Sequence, residues 1–210
     1  MDVQLQQVKS AEIEAASFRI IERELGPTGH APAEFAVVRR VIHATGDFAF
    51  SDTLRFHPAA VEAGLAAIRA GKDILVDVTM VAAGISKGLL GKWGGTVLCK
   101  VGDPEIAAEA KRLGRTRSEV AITAMARENI GIVAIGNAPT ALLRVMQMID
   151  QGAFRPALVI GVPVGFVNAA ESKAMLAAKT YPFITAVGRK GGSPVAAATV
   201  NALLRLAGER

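Results

Sequence analysis

Cysteine is almost missing from this chain: Cys99 stands alone, so neither an internal disulfide nor a cysteine-built metal centre is available. Aromatics make up only 5% of the residues. The cations are scattered as well, which removes the combination of clustered charge and stacking rings that nucleic-acid binders use. The longest apolar stretch, around Ala157 to Val167, is short and broken by Gly161, Pro163 and Gly165, too little to span a bilayer. No helix with a lysine-rich polar face suggests a membrane surface, and Met1 to Ser10 lacks the basic-then-apolar order of a secretory signal. Nucleotide motifs are missing too. No G-x-G-x-x-G follows the first strand and no G-x-x-x-x-G-K-[ST] occurs, while Gly161 and Gly165 are set too far apart, with Pro163 between them, for a dinucleotide turn. Three histidines, His30, His43 and His57, have no G-x-S-x-G elbow to serve and form no H-x-x-x-H pair for a metal. The expectation is a soluble cytoplasmic protein without metal or nucleotide.

What is present is a large apolar fraction, 51% of 210 residues, enough for one generous globular domain over 1–210. Much of it is Ala, Val and Gly, which suits helices packed closely on a sheet. Apolar runs fall at 74–78, 96–101, 132–135, 157–162 and 183–187, separated by helical patterns. Short, nearly continuous apolar strands alternating with helices predict a doubly wound, mostly parallel α/β sheet covered on both faces. Ahead of it, helices are expected over 10–25 and through Phe35 to Thr45, then a short extended piece around 48–56 and a helix over 58–70.

The second of these helices organises the chemistry. Phe35, Val38 and Ile42 share one side, widened by Val37, Val41 and Ala44. The other side holds His43 with Arg39 four and Arg40 three residues before it. Thr45-Gly46-Asp47 then stops the helix, leaving His43 near its end. An imidazole flanked by two guanidiniums suits an anionic substrate, and it equally suits an ordinary solvated helix face. A net charge of +5 also favours an acidic partner. In doubly wound sheets ligands bind beyond the carboxyl ends of the strands. That rule selects the loops at 77–79, 100–103, 136–140, 161–168 and 188–193. The last joins Arg189, Lys190 and two glycines to a helix start, where backbone N–H groups attract anions. Elsewhere, Trp93 lies in a glycine-rich segment that either closes over a flat ligand or packs down a loop. Cys99 reads as a buried small hydrophobe in mid-strand, His57 as opening a helix, and Ser17 as a packing residue bonded back to its own helix among Ile13, Ile20 and Ile21. Glu171 reads as an acid suited to the helix start.

Four segments together resemble the precorrin-8X methylmutases, with the cobalt-precorrin-8 methylmutases as close relatives: Arg39-Arg40-Val-Ile-His43-Ala-Thr-Gly, Gly136-Asn-Ala-Pro-Thr140-Ala-Leu, Pro163-Val-Gly-Phe-Val-Asn-Ala-Ala-Glu-Ser-Lys173 and Gly188-Arg-Lys-Gly-Gly-Ser193. The resemblance runs from the first helix to the last. It implies a cofactor-free isomerase of cobalamin (vitamin B12) biosynthesis. Its substrate would be precorrin-8X, a macrocycle edged with acetates and propionates. A methyl group would move from C11 to C12 in a [1,5]-sigmatropic shift, giving hydrogenobyrinic acid or its cobalt-containing equivalent. The resemblance puts the family histidine at His43, as proton or hydrogen-bond partner of the ring C nitrogen, and substrate contacts at Ser17, Arg40 and Arg117. Arg39, Asn137, Ser172, Arg189 and Ser193, in the shared segments, join the expected substrate-binding set. It also implies a homodimer with active sites shared between subunits. A non-catalytic tetrapyrrole binder and an α/β transferase acting on another anionic metabolite stand as alternatives.

Overall fold

The structure is a computed structural model and describes residues 9–209; most of the stretch compared above with a secretory signal therefore lies outside the described residues. After a 3-10 turn at Ser10–Glu12, helix α1 runs over Ile13–Leu25 and α2 over Pro32–Thr45. Pro32 opens α2, where a missing N–H costs nothing, and the Glu34 carboxylate accepts from the Ala31 N–H at 3.3 Å. Gly46 ends it in the left-handed conformation at φ 67°, as the stop signal predicts. The stretch read as extended over 48–56 opens instead with a turn and a short helix, α3 (Phe50–Thr53), and is extended only at its end, strand β1 (Leu54–Phe56). Asp47 and Ala49 supply the local bonds that turn the chain: Ala49 N–H donates to Asp47 at 3.0 Å, and Thr53 donates back to Ala49 O at 2.9 Å.

Then come α4 (Ala60–Arg69), β2 (Asp73–Val76), α5 (Thr79–Gly84), α6 (Lys87–Gly91), β3 (Val97–Leu98), α7 (Pro104–Leu113), α8 (Arg117–Met125), β4 (Ile130–Ile135), α9 (Pro139–Asp150), β5 (Leu158–Gly161), α10 (Ala169–Ala177), β6 (Phe183–Ala186) and α11 (Ser193–Gly208). The sheet order is β1-β6-β5-β4-β2-β3. Every pairing is parallel except β1 against β6, where Leu54 faces Ala186. The expected five parallel strands are present, and β1 adds a sixth, antiparallel edge. The 96–101 run shrinks to two residues because an edge strand has one neighbour to hold it. Cys99 thus falls just past β3 and is half-buried, which corrects the mid-strand reading; burial pushes its thiol pKa up.

Alternate strand residues feed two cores. Ile74, Val76, Ile132, Ala134, Leu158, Ile160 and Ile184 pack with Val37, Val41, Ile42, Ile68, Val200 and Leu203 from α2, α4 and α11. Leu75, Val133, Ile135, Val159 and Phe183 pack with residues of α8, α9 and α10 on the other face. From β2 the chain moves outward to β3, then returns past β2 to β4 and goes on to β5 and β6. The helices change face where the direction changes, as right-handed crossovers require. The reversal lies between β2 and β4. Their carboxyl ends bound the crevice where such sheets present ligands.

Candidate active site

At that reversal the sequence places an acid at the end of an apolar strand. Asp77 is fully buried. Its Oδ1 accepts from the Gly136 N–H at 3.0 Å, and its Oδ2 accepts from Asn137 and Ala138 at 2.9 and 2.7 Å. Burial pushes its pKa up against these three donors, which favour the carboxylate. The loop after β2 is thereby fastened to the loop after β4. Sequence reading selected both loops and missed the bond between them; an acidic residue closing an apolar strand was the available signal. Close beside them a Cβ on Gly136 would lie 2.7 Å from Val81 Cγ2 and 2.9 Å from Ser193 Cα, so α5 and the start of α11 close directly on this turn.

The neighbouring loops are tied as firmly. Gly192 N–H donates to Val162 O at 2.8 Å and Gly165 N–H to Arg189 O at 3.3 Å. Lys173, 1% exposed, donates from Nζ to Lys190 O at 2.5 Å. Thr116 caps α8 and meets the Thr140 hydroxyl at 2.8 Å, bringing Arg117 to the start of α9. Asn137 and Arg189 are exposed there and Ser193 is buried at the first position of α11. Ser172 is 1% exposed, with its hydroxyl donating to Ala169 O at 3.1 Å. In this chain its hydroxyl is thus engaged within α10.

A second group forms where α1 lies on α2. The Phe18 ring, which sequence reading did not single out, gathers three expected residues. His43 meets it edge-on at 5.3 Å between centroids, and the Arg39 and Arg40 guanidiniums sit 4.2 and 4.8 Å from its centroid. The helix-face argument is borne out in this shared packing. The two arginines are not free, however. Arg39 pairs with Glu22, and Arg40 binds Glu14 through both Nη atoms at 2.8 and 3.2 Å. Arg205 also reaches Glu14 at 3.4 Å, and the hydrogen bond from Arg40 leads the causes that hold the Glu14 carboxyl below its usual range. Two of the five Arg40 N–H groups are engaged by Glu14, on a side chain that is mostly buried. Arg39 Nε is buried without a partner. Ser17 donates to Ile13 O at 2.9 Å, as expected of a helix serine. The face it shares differs from expectation: Ile21 is buried, but Ile13 is 51% and Ile20 37% exposed.

An ion pair joins the two groups. Lys190 Nζ lies 2.7 Å from Asp47 Oδ2, tying the loop before α11 to the residue just beyond α2, one turn past His43. The hollow beside Phe18, Arg39, Arg40 and Arg205 measures only about 140 Å³, well below an ordinary ligand pocket. A larger hollow of about 580 Å³ beside His30, Phe48 and Asp52 holds none of the expected residues. Trp93 stands away from the strand-end loops and lines a separate hollow of about 520 Å³ with Leu89, Lys92, Arg205 and Glu209, the last two of which also border the Phe18 hollow. It precedes β3, on the edge where Gly71 precedes β2, and its carbonyl would lie 2.6 Å from a Gly71 Cβ. That is the amino edge of the sheet, opposite the loops above. His57 opens α4 as expected, its Nδ1 accepting from Ala59 N–H at 3.2 Å.

The comparisons agree with this picture along nearly the whole chain. A family model described as precorrin-8X methylmutase matches residues 12–206. A cobalt-precorrin-8 methylmutase of Priestia megaterium is 46% identical over 201 residues, covering 95% of this chain and 89% of the relative. A precorrin-8X methylmutase of Pseudomonas aeruginosa is 47% identical over 192 residues, covering 89% and 91%. The crystal structure of a precorrin-8X methylmutase from Thermus thermophilus superposes with a TM-score of 0.85 at 46% identity, over 94% of this chain and 98% of that one. On a match of this extent in sequence and fold, the chain belongs to the precorrin-8X methylmutase family, a family of isomerases.

Proposed function

We propose that this protein moves a methyl group from C11 to C12 of precorrin-8X, or of its cobalt-containing counterpart, and that His43 is the group that sets the reacting ring's protonation. The observation that carries this reading is the cluster about Phe18: an exposed imidazole in the last turn of α2 with two guanidiniums on the same ring. The shift is intramolecular, so no group enters or leaves. The chain's part is to bind the macrocycle, hold its carboxylates and exchange or share one proton at a ring nitrogen. Histidine suits that role because both its forms are accessible near neutrality. Arg40, with Arg39 beside it, would take carboxylates through the N–H groups that Glu14 and Glu22 leave over, since a guanidinium binds a carboxylate in a planar fork. Ser17, Arg117, Asn137, Ser172, Arg189 and Ser193 complete the proposed substrate-binding set.

The protein is read further as one domain over 1–210 and as a cytoplasmic homodimer whose copies share active sites. Two features support the dimer: the Phe18 hollow is too small for the ring by itself, and Ile13 and Ile20 stand exposed either side of Ser17. The test is His43→Ala against wild type, assayed for turnover and titrated with hydrogenobyrinic acid by absorbance. Turnover should be lost while product binding is largely kept. Full activity in the variant overturns the role of His43, and a wild type that does not bind the product overturns the substrate assignment.

A further inference from the structure

The loop between β5 and α10 displays its apolar side chains outward. Phe166 is 84% exposed, Val167 77% and Val164 48%. Their backbone is not loose: Gly165 is bonded to Arg189 and Gly192 to Val162, and the loop runs straight into the buried Ala169 of α10. A run of large apolar side chains standing on a pinned backbone marks a contact surface. The Arg189 guanidinium lies 5.4 Å from the Phe166 ring centroid, with Lys190 next in the chain. Met80 and Val187, 68% and 49% exposed, open from the carboxyl ends of β2 and β6 on the same edge of the sheet.

We propose that Val164, Phe166 and Val167 form a platform for the flat face of a tetrapyrrole-type macrocycle, with Arg189 holding a carboxylate on its rim. The inference rests on the substrate class proposed above and adds where the ring lies. Charge complementarity selects this occupant. An apolar patch edged by Arg189 and Lys190 fits a disc that is apolar on its face and anionic on its rim. The crevice below supports the same choice. Asp77 already occupies the amides of residues 136–138, so a ligand meets the upper surfaces of these loops.

The test is an absorbance titration of wild type, Phe166→Ala, Phe166→Leu and Arg189→Ala with hydrogenobyrinic acid, with sedimentation of each. So exposed a side chain can be cut back without disturbing the core. Phe166→Ala should weaken binding about tenfold or more, in line with aromatic stacking on a flat ring. Phe166→Leu should lose less, and Arg189→Ala should weaken binding with no change of assembly. A wild type that binds beside a Phe166→Ala variant of equal affinity overturns the platform and leaves the family activity standing. A Phe166→Ala variant that dissociates into single chains assigns the patch to a second copy and likewise overturns it. A wild type that shows no binding overturns the substrate class, and the platform with it.

Discussion

Lys173 holds a charge where the fold gives it almost no water. Its only partner among the described residues is the Lys190 carbonyl oxygen, and burial lowers its pKa to about 8. The folded protein therefore releases this proton at lower pH than the unfolded chain, whose lysine keeps it to about pH 10. Between those values the unfolded state binds more protons, so wild-type stability gains from Lys173 as pH rises through this window. Lys173→Met keeps the length and removes the titration. Urea unfolding should find the variant at least as stable as wild type near neutrality, with wild type gaining on it by about pH 10; a difference independent of pH contradicts the buried charge. The sequence displays Lys173 but not its burial, because its surroundings come from a loop 17 residues on. The same limit separates His43, Arg39 and Arg40, legible from spacing on one helix, from Phe18, Glu14 and Glu22. Those complete the cluster across another helix, the two acids 26 and 17 residues away from the arginines they bind.

Among the elements, the strands were the most legible, since a strand covered on both faces is apolar at every position, as Ile130–Ile135 is. The parallel direction of five strands was legible too; the pairing order and the antiparallel edge were not. β1 joins the sheet by pairing Leu54, Arg55 and Phe56 with Ala186, Thr185 and Ile184, flanked by bonds from His57 N–H to Phe183 O and from Val187 N–H to Thr53 O, a pairing that its own three residues do not announce. The close approach of α5 and α11 to the turn after β4 is likewise a property of the assembled layers. Gly136→Ala tests it. A methyl at 2.7 Å from Val81 Cγ2 and 2.9 Å from the Ser193 backbone should cost about 1–3 kcal/mol as overpacking. Gly102→Ala, which meets nothing within 4 Å, should be nearly neutral. Urea midpoints compare the two, and equal midpoints would contradict the packing described.

Across the whole molecule, the net charge of +5 and the cations at the carboxyl edge act on a polyanionic ligand before contact. Stopped-flow binding of hydrogenobyrinic acid should therefore show an association rate that falls as salt is raised, while dissociation changes less. A salt-independent association rate would mean that long-range attraction plays no part. The bond network of Asp77 has a different consequence. In sheets of this kind the reversal crevice is where phosphates and nucleotides commonly settle, and cells hold such metabolites in abundance. Here the position is plugged by the chain's own carboxylate, which repels anions and has taken up the amides that would hold them. The three amides of the turn after β4 are thereby closed to a small anion. Small phosphate mimics make poor starting points for inhibitors; broad, flat, acid-edged molecules are the chemical space to search.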